Sequence, residues 1–324
     1  MRLTNFTALA AAALITAGAA TAQDRDGWPS SMTIGTASQG GVYFVYGNGL
    51  AAYIAEELGI NASGEVTGGP VQNVTLVQMG EHAMGMVTLG PMYEAWIGES
   101  ELAPGLEHTD VRALFPMYET PFQGIALRGQ NITSLADLEG KRVSVGPAGG
   151  TPGTYWPRII EALGVNATIS YAGASDAASQ LQDGLIDAFV FAAGLPIAAF
   201  SQLAAEADVR TFTFSDEEHA QILETFPEVS DFTIPGGTYT VQDEDQPSVA
   251  MWNFAVVHQD MPESLAYEIT KLVMENNDRM MQIHAAAAAT LPENFENNSF
   301  LPFHPGAVRW FEENGFEIPE DLRG

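Results

Sequence analysis

The apolar positions of this chain follow a pattern that is laid down twice. Met32 to Ala37 is a short apolar run, then comes the small polar stretch Ser38-Gln39-Gly40-Gly41, and then Val42, Val45, Leu50, Ile54 and Leu58 recur at helical spacing up to Gly59. The second copy begins Arg142-Val143-Ser144-Val145-Gly146, continues through Pro147-Ala148-Gly149-Gly150-Thr151-Pro152-Gly153-Thr154-Tyr155, and enters a helical run from Trp156 to Leu163 closed by Gly164. Each copy predicts a strand, a loop of glycines and hydroxyls, and a helix start. The first continues with a strand at 65–67, a helix over 71–79 after Gly68-Gly69-Pro70, and a strand over 84–89. The second continues with a strand over 168–171, a helix over 175–182 capped by Ser175, and a strand over 185–191. Between the copies the pattern predicts strands over 111–118 and 123–128, then a capping box at Ser134 to Asp137. After them it predicts a strand over 249–258 and a long Ala-rich helical region over 262–289. Alternating strands and helices imply two α/β lobes with mainly parallel sheets. No Pro- or Ser-rich linker separates them, so the crossings are expected to be structured strands.

The first 22 residues fall outside this pattern. Arg2, the apolar run Ala8 to Ala20 and the small-residue site Ala20-Thr21-Ala22 read as a secretory signal peptide cut after Ala22. That places the mature chain in a periplasm. The most apolar later stretch, Ala188 to Phe200, is short for a membrane span and contains Gly194 and Pro196.

Composition narrows the partners. The 324 residues include 12 Lys+Arg against 41 Asp+Glu, a formal charge of −29. So few basic residues argue against nucleic acid and against an anionic membrane surface. The acids are spread along the chain, which fits a solvated surface and a saline medium that screens its self-repulsion. No cysteine is present, which removes disulfides, thiol chemistry and a lipid anchor on an N-terminal Cys. The six histidines form no pair at helical metal-binding spacing, and Asp243-Glu244-Asp245 lacks the alternation of a calcium loop, so no metal is expected.

The glycine loops carry the candidate chemistry. Glycine lets backbone approach a ligand closely, and the helix that follows offers unpaired N–H groups at the positive end of its dipole. Two such loops facing one cleft would hold a carboxylate or phosphate without an arginine. Neither is a P-loop or a dinucleotide fingerprint, so no nucleotide cofactor is expected. No Gly-x-Ser-x-Gly elbow occurs, and nothing marks a base for Ser38. Tyr43, Tyr93, Tyr118, Tyr155, Trp156 and Tyr239 fall near predicted strand ends, either as packing or as rings that orient a ligand. Tyr43 and Tyr118 are the stronger candidates, beside the first loop and at the crossing.

Six segments in order carry a resemblance across the mature chain. They are Thr33 to Tyr43, Gly69-Pro70-Val71-Gln72-Asn73, Asp137-Leu138-Glu139-Gly140-Lys141-Arg142-Val143, Gly184-Leu185-Ile186-Asp187-Ala188, Ile234-Pro235-Gly236-Gly237-Thr238-Tyr239 and Pro302-Phe303-His304-Pro305-Gly306-Ala307. Together they resemble the TAXI-type solute receptors of tripartite ATP-independent (TRAP) transporters. The resemblance implies a two-lobed periplasmic-binding-protein fold, type II-like, with the ligand cleft between lobes. Lobe 1 would comprise 31–120 plus about 252–324, and lobe 2 about 121–251, hinged near 118–123 and 249–256. It implies a non-enzymatic, monomeric receptor for a small organic anion, glutamate-like or 2-oxoglutarate-like, that serves TRAP permease subunits. Ser38, Gly40, Gly41 and Tyr43 would hold one end of the ligand, Gly149, Gly150, Thr151 and Thr154 the other, with Thr88 and Tyr118 lining the cleft. A sensory receptor of the same fold and an exported hydrolase are the rival readings. Three segments depart from the family pattern: Pro70 and Gln72, Thr88-Leu89-Gly90, and Thr120-Pro121-Phe122. They leave no acid to pair a ligand amine, which points to a keto or dicarboxylic acid over an amino acid.

Overall fold

The computed structural model describes residues 25–324, so the signal peptide expected over 1–22 lies outside the described residues. The first copy of the pattern folds as β1 (Ser31–Gly35), α1 (Val42–Leu58), β2 (Asn61–Glu65), α2 (Pro70–Gln78), β3 (Met84–Thr88) and α3 (Leu89–Trp96), and leads into a long strand, β4 (Val111–Leu127). The second copy folds as β5 (Arg142–Ser144), α4 (Thr151–Ala162), β6 (Thr168–Ser170), α5 (Ala174–Gln182) and β7 (Ala188–Ala192). It is followed by α6 (Ala198–Glu206), β8 (Val209–Phe212), α7 (Asp216–Thr225) and β9 (Ser230–Ile234). A second long strand, β10 (Gln246–His258), returns to the first half, which α8 (Glu263–Met274), α9 (Asn277–Ile283) and α10 (Pro305–Glu313) complete.

The strand order β2-β1-β3-β10-β4-β7-β5-β6 reads the same from both ends in terms of the repeat. Each copy gives a parallel triplet, β2-β1-β3 or β6-β5-β7, with its first strand in the middle. The antiparallel pair β10–β4 sits between the triplets. β4 pairs with β10 as far as Pro121 and with β7 from Phe122 onward. The sheets are therefore mixed, because both crossing strands run against the triplets they join. The result is a two-lobed α/β fold of the periplasmic-binding-protein type. The second lobe packs around Trp156, which meets Phe122 and Phe214 at centroid distances of 5.5 and 5.7 Å. The first lobe packs α8 and α10 against its sheet through residues such as Ile269, Phe303 and Phe311.

Several local expectations are corrected. The segments 111–118 and 123–128 are one strand, since Pro121 falls where the strand changes partner, an irregularity that accommodates a proline. The first short strand lies at 61–65, and Thr67 instead turns the chain, its hydroxyl bonded to Thr36 O and Asn73 Oδ1. That strand escapes an apolar-pattern reading because it is an outer strand with little buried side chain. The region 262–289 is two helices and a 3-10 turn. Asn276 leaves helical geometry while its side chain bonds back to Leu272 O, and His284 is extended with Nδ1 accepting from Ala286 N. Ser134 caps nothing: Asp137 accepts from the N–H groups of Thr133 and Ser134, and Ala136 N bonds Glu218. Among the described residues a complete capping box is formed at Ser215 and Glu218, in a stretch that reads in sequence only as acidic surface. Ser175 does not cap α5, whose N-cap is Gly173.

Candidate functional site

The cap of α5 comes from the opposite lobe. Ser38 Oγ accepts from Ala174 N at 3.2 Å, Gln39 O from Ser175 N at 3.2 Å, and Gly40 O from Ala199 N at 3.1 Å. The loop between β1 and α1 thus docks on the N-termini of α5 and α6. The second copy does the reciprocal thing: Gly149 O, in the loop before α4, accepts from Val71 N of α2 at 3.1 Å. α2 and α5 occupy equivalent places in the two copies. Each copy's glycine loop therefore satisfies an orphan donor at the start of the other copy's second helix.

These contacts fence a cavity between the lobes. Its walls are Ser38, Gly41 and Tyr43 from the first loop, Gly68 to Pro70 before α2, and Thr88 and Thr120 from the first-lobe sheet. The second lobe adds Pro147, Gly150 and Thr151, with Phe191 to Ala193. The empty space it encloses, including the part that opens to solvent, is about 380 Å³. No charged side chain lines it. The helices that begin at its wall, α1 and α4, have glycine N-caps and no side-chain cap. Their first-turn N–H groups have no partner within the helix, and their dipoles point the positive end at the cavity.

The polar centre is a residue that the sequence reading missed. Asn253 of β10 is fully buried. Its Nδ2 donates to Tyr118 O at 2.6 Å and to Thr120 Oγ1 at 2.7 Å, which fixes the amide orientation. Its Oδ1 then accepts from Tyr43 Oη at 2.6 Å and Thr88 Oγ1 at 2.8 Å. Thr88 Oγ1 in turn accepts from Thr151 Oγ1 at 2.8 Å, a bond that crosses the cleft. Thr120 Oγ1 also donates to Asn253 Oδ1 at 3.0 Å, and Thr120 stands at the cavity wall. The signal for Asn253 was a single amide in the otherwise apolar run Met251 to Val257.

Of the residues expected to bind ligand, Ser38, Gly41, Tyr43, Thr88, Gly150 and Thr151 line the cavity. Gly40 (φ +85°) and Gly149 lie in the lobe contacts instead: a Cβ on Gly40 would stand 2.7 Å from Ser175 Oγ, and one on Gly149 3.3 Å from Gly68 C. Thr154 is buried in α4 behind the wall. Tyr118 lies behind Tyr43, ring centroids 6.3 Å apart, and its buried hydroxyl has no hydrogen-bond partner. Burial pushes the Tyr43 and Tyr118 phenols well above their ordinary pKa, so both stay neutral hydroxyls. Tyr239 is a buried post for Ile197 N and Gln123 Nε2, while Tyr93 is half exposed on the surface. Among the departures from the family pattern, Pro70, Thr88 and Thr120 face the cavity, whereas Gln72 accepts from Gly68 N on the outside. Among the described residues no cluster of three or more His, Asp or Glu could hold a metal, and no helix is long and apolar enough to cross a membrane.

A family model, the NMT1-like family, matches residues 34–315, which include both glycine loops and both crossing strands. The chain belongs to the NMT1-like family. Solved structures resemble this NMT1-like protein at the level of the fold. An ancestral arginine-binding protein bound to arginine is 16% identical, with a TM-score of 0.51 over 79% of this chain and 97% of that one. A mutant arginine-binding protein from T. maritima is 13% identical, with a TM-score of 0.50 over 81% of this chain and 95% of that one. At such identities the likeness establishes that this NMT1-like chain has the two-lobed binding-protein fold.

Proposed function

We propose that this protein is a periplasmic solute receptor that closes on a small organic anion and delivers it to a TRAP-type permease. Its lobes would divide at 31–120 plus about 252–324 against about 121–251, and close about β4 and β10 near residues 118–123 and 249–256. The observation that carries this reading is the pairing of helix starts. Those of α2 and α5 are engaged by the opposite lobe, while α1 and α4 begin uncapped at the wall of a cavity without charged side chains. Oriented N–H groups in a water-poor site favour negative charge. Ser38, Gly41, Tyr43, Thr88, Thr120, Gly150 and Thr151 would surround it. Hydroxyls shape the cavity but none is activated: no His, Asp, Glu or Lys lines it, so a hydrolase lacks its base.

The neighbours in fold include a protein bound to arginine. This cavity has no carboxylate to pair an ammonium or guanidinium, so the ligand would carry acid groups without an amine, as 2-oxoglutarate does. Calorimetry on a panel of organic acids tests this. Saturable binding of a keto or dicarboxylic acid, without turnover, is the expected result. Tight binding of glutamate with none of 2-oxoglutarate would reverse the ligand class, and product formation abolished by Ser38→Ala would replace the receptor by an enzyme.

A further inference from the structure

Helices α3 and α4 face each other across the cleft and form a seam that runs from the cavity to the surface. At its inner end Thr151 donates to Thr88, the residue just before α3. Next, the Tyr155 ring fills the space beside Gly90, where a Cβ would stand 2.6 Å from the phenol oxygen. Tyr155 Oη donates to Glu94 Oε1 at 3.1 Å. At the outer end Arg158 reaches Glu94 Oε1 at 2.5 Å, Glu94 Oε2 at 3.4 Å and Glu101 Oε1 at 3.0 Å, with its guanidinium 5.2 Å from the Tyr155 ring centroid. Thr151, Tyr155 and Arg158 are spaced i, i+4 and i+7, so one face of α4 makes every contact. Arg128–Asp208, Arg142–Asp187, Arg279–Glu56, Arg309–Glu263 and Arg323–Glu312 each join residues of one lobe. The Arg158 pairs join the two lobes. Glu94 is only 17% exposed, so water screens its pair with Arg158 less than it screens the pairs at the rim.

We propose that Arg158 is a positioning residue that sets the balance between open and closed lobes: by clasping Glu94 and Glu101 it draws α4 onto α3 and so seats Thr151 against Thr88 at the cavity. The proposal deepens the receptor reading and rests on the cavity being the ligand site, yet it concerns a motion that can be read without ligand. The closed form then depends on ionic strength although no charged side chain touches the cavity. The sign is diagnostic. Salt that merely screened the repulsion between two acidic lobes would favour closing, whereas salt that weakens the clasp favours opening.

The absence of cysteine makes the measurement direct. Leu102→Cys and Glu161→Cys place one spin label on each side of the seam, at exposed positions. In ligand-free protein, pulsed electron-spin distance measurements at low salt should give a short population that shifts to longer separations in 1 M NaCl. Arg158→Ala should give the longer separations at both salt concentrations. Arg158→Lys should restore part of the short population at low salt, because it keeps the charge but loses the bidentate fork. A merely structural role would lower the melting temperature without a salt-reversible change in distance. Identical distance distributions for the parent and Arg158→Ala at low salt would overturn the proposal. Failure of every organic acid to bind would defeat the receptor reading while leaving this distance result to stand or fall alone.

Discussion

The two copies of the repeat share a backbone plan and divide the chemistry unequally. In the first, Gly41 N bonds Ser38 O and α1 follows; in the second, Gly150 N bonds Pro147 O and α4 follows. Each loop reaches across to the other copy's second helix. The first loop makes that reach with a hydroxyl and a carbonyl and adds a second carbonyl to α6, whereas the second makes it with one carbonyl. The first copy also leads to Tyr43 and Thr88, which bond the buried Asn253, whereas the second leads to Tyr155 and Arg158 on the outer seam. In the proposed receptor the first copy would be the seat of the site and the second the jaw that shuts on it. The two frames are alike in backbone, and their side chains make one of them polar inside and the other charged outside.

The largest test of this contrast is Asn253→Leu. It strips the seat of the amide shared by Tyr118 O, Tyr43, Thr88 and Thr120, and leaves Tyr43 and Thr88 only the 3.1 Å contact between them and the Thr151 bond. We expect a loss of about 3 kcal/mol in urea denaturation, together with loss of organic-acid binding. In the jaw, Thr151→Val should cost about 1 kcal/mol, since only one bond goes. Equal losses at the two positions would erase the distinction.

Glycine substitutions come next. Gly40 sits at φ +85° against Ser175, so Gly40→Val should cost about 2 kcal/mol through backbone strain alone, and should hold the lobes apart in small-angle scattering. Gly149 does not need a left-handed backbone, and Gly149→Ala should do much less. Ser38→Ala removes the borrowed cap of α5, an effect of about 1 kcal/mol that exists only in the closed form. It should weaken binding about fivefold, through faster dissociation in stopped-flow traces.

Acid gives the smallest effect and distinguishes the halves another way. Burial lowers the pKa of His284 and His304, both in the first half. Each accepts a backbone N–H at Nδ1, from Ala286 and Gly306, which requires the neutral ring. The unfolded chain protonates these rings near pH 6.5 while the folded chain resists, so their contribution is complete above that pH and is lost as pH falls below it. Amide exchange should show the first half loosening before the second between pH 7 and pH 5, and His304→Gln should narrow the gap.

How much was legible follows from what leaves a mark in sequence. The glycine loops were readable because close backbone contact restricts the residue type, and the parallel triplets because β3 and β7, which flank their central strands, are buried along their whole length. Six of the ten expected binding residues stand at the cavity wall. Gly40 and Gly149 obey the same rule, close approach to backbone, but what approaches is the other lobe. Asn253 was hard to see because one amide in an apolar strand has no periodicity. β8 and β9 were missed because they are short, four and five residues, and pair with the crossing strands rather than belonging to either triplet. The cross-lobe cap at Ser38 was out of reach, since its partner Ala174 is 136 positions away.

The palindromic order of strands has a mechanical consequence. The chain passes between the halves on β4 and β10, which lie side by side and are hydrogen-bonded to one another across the boundary. A two-stranded ribbon bends readily across its face, whereas sliding or splaying its strands breaks the ladder. In the proposed receptor the soft motion of the halves would be a nod about a line across the ribbon, and the contacts between Ser38 and Ala174, Gly149 and Val71, and Glu94 and Arg158 would be made or lost together along it.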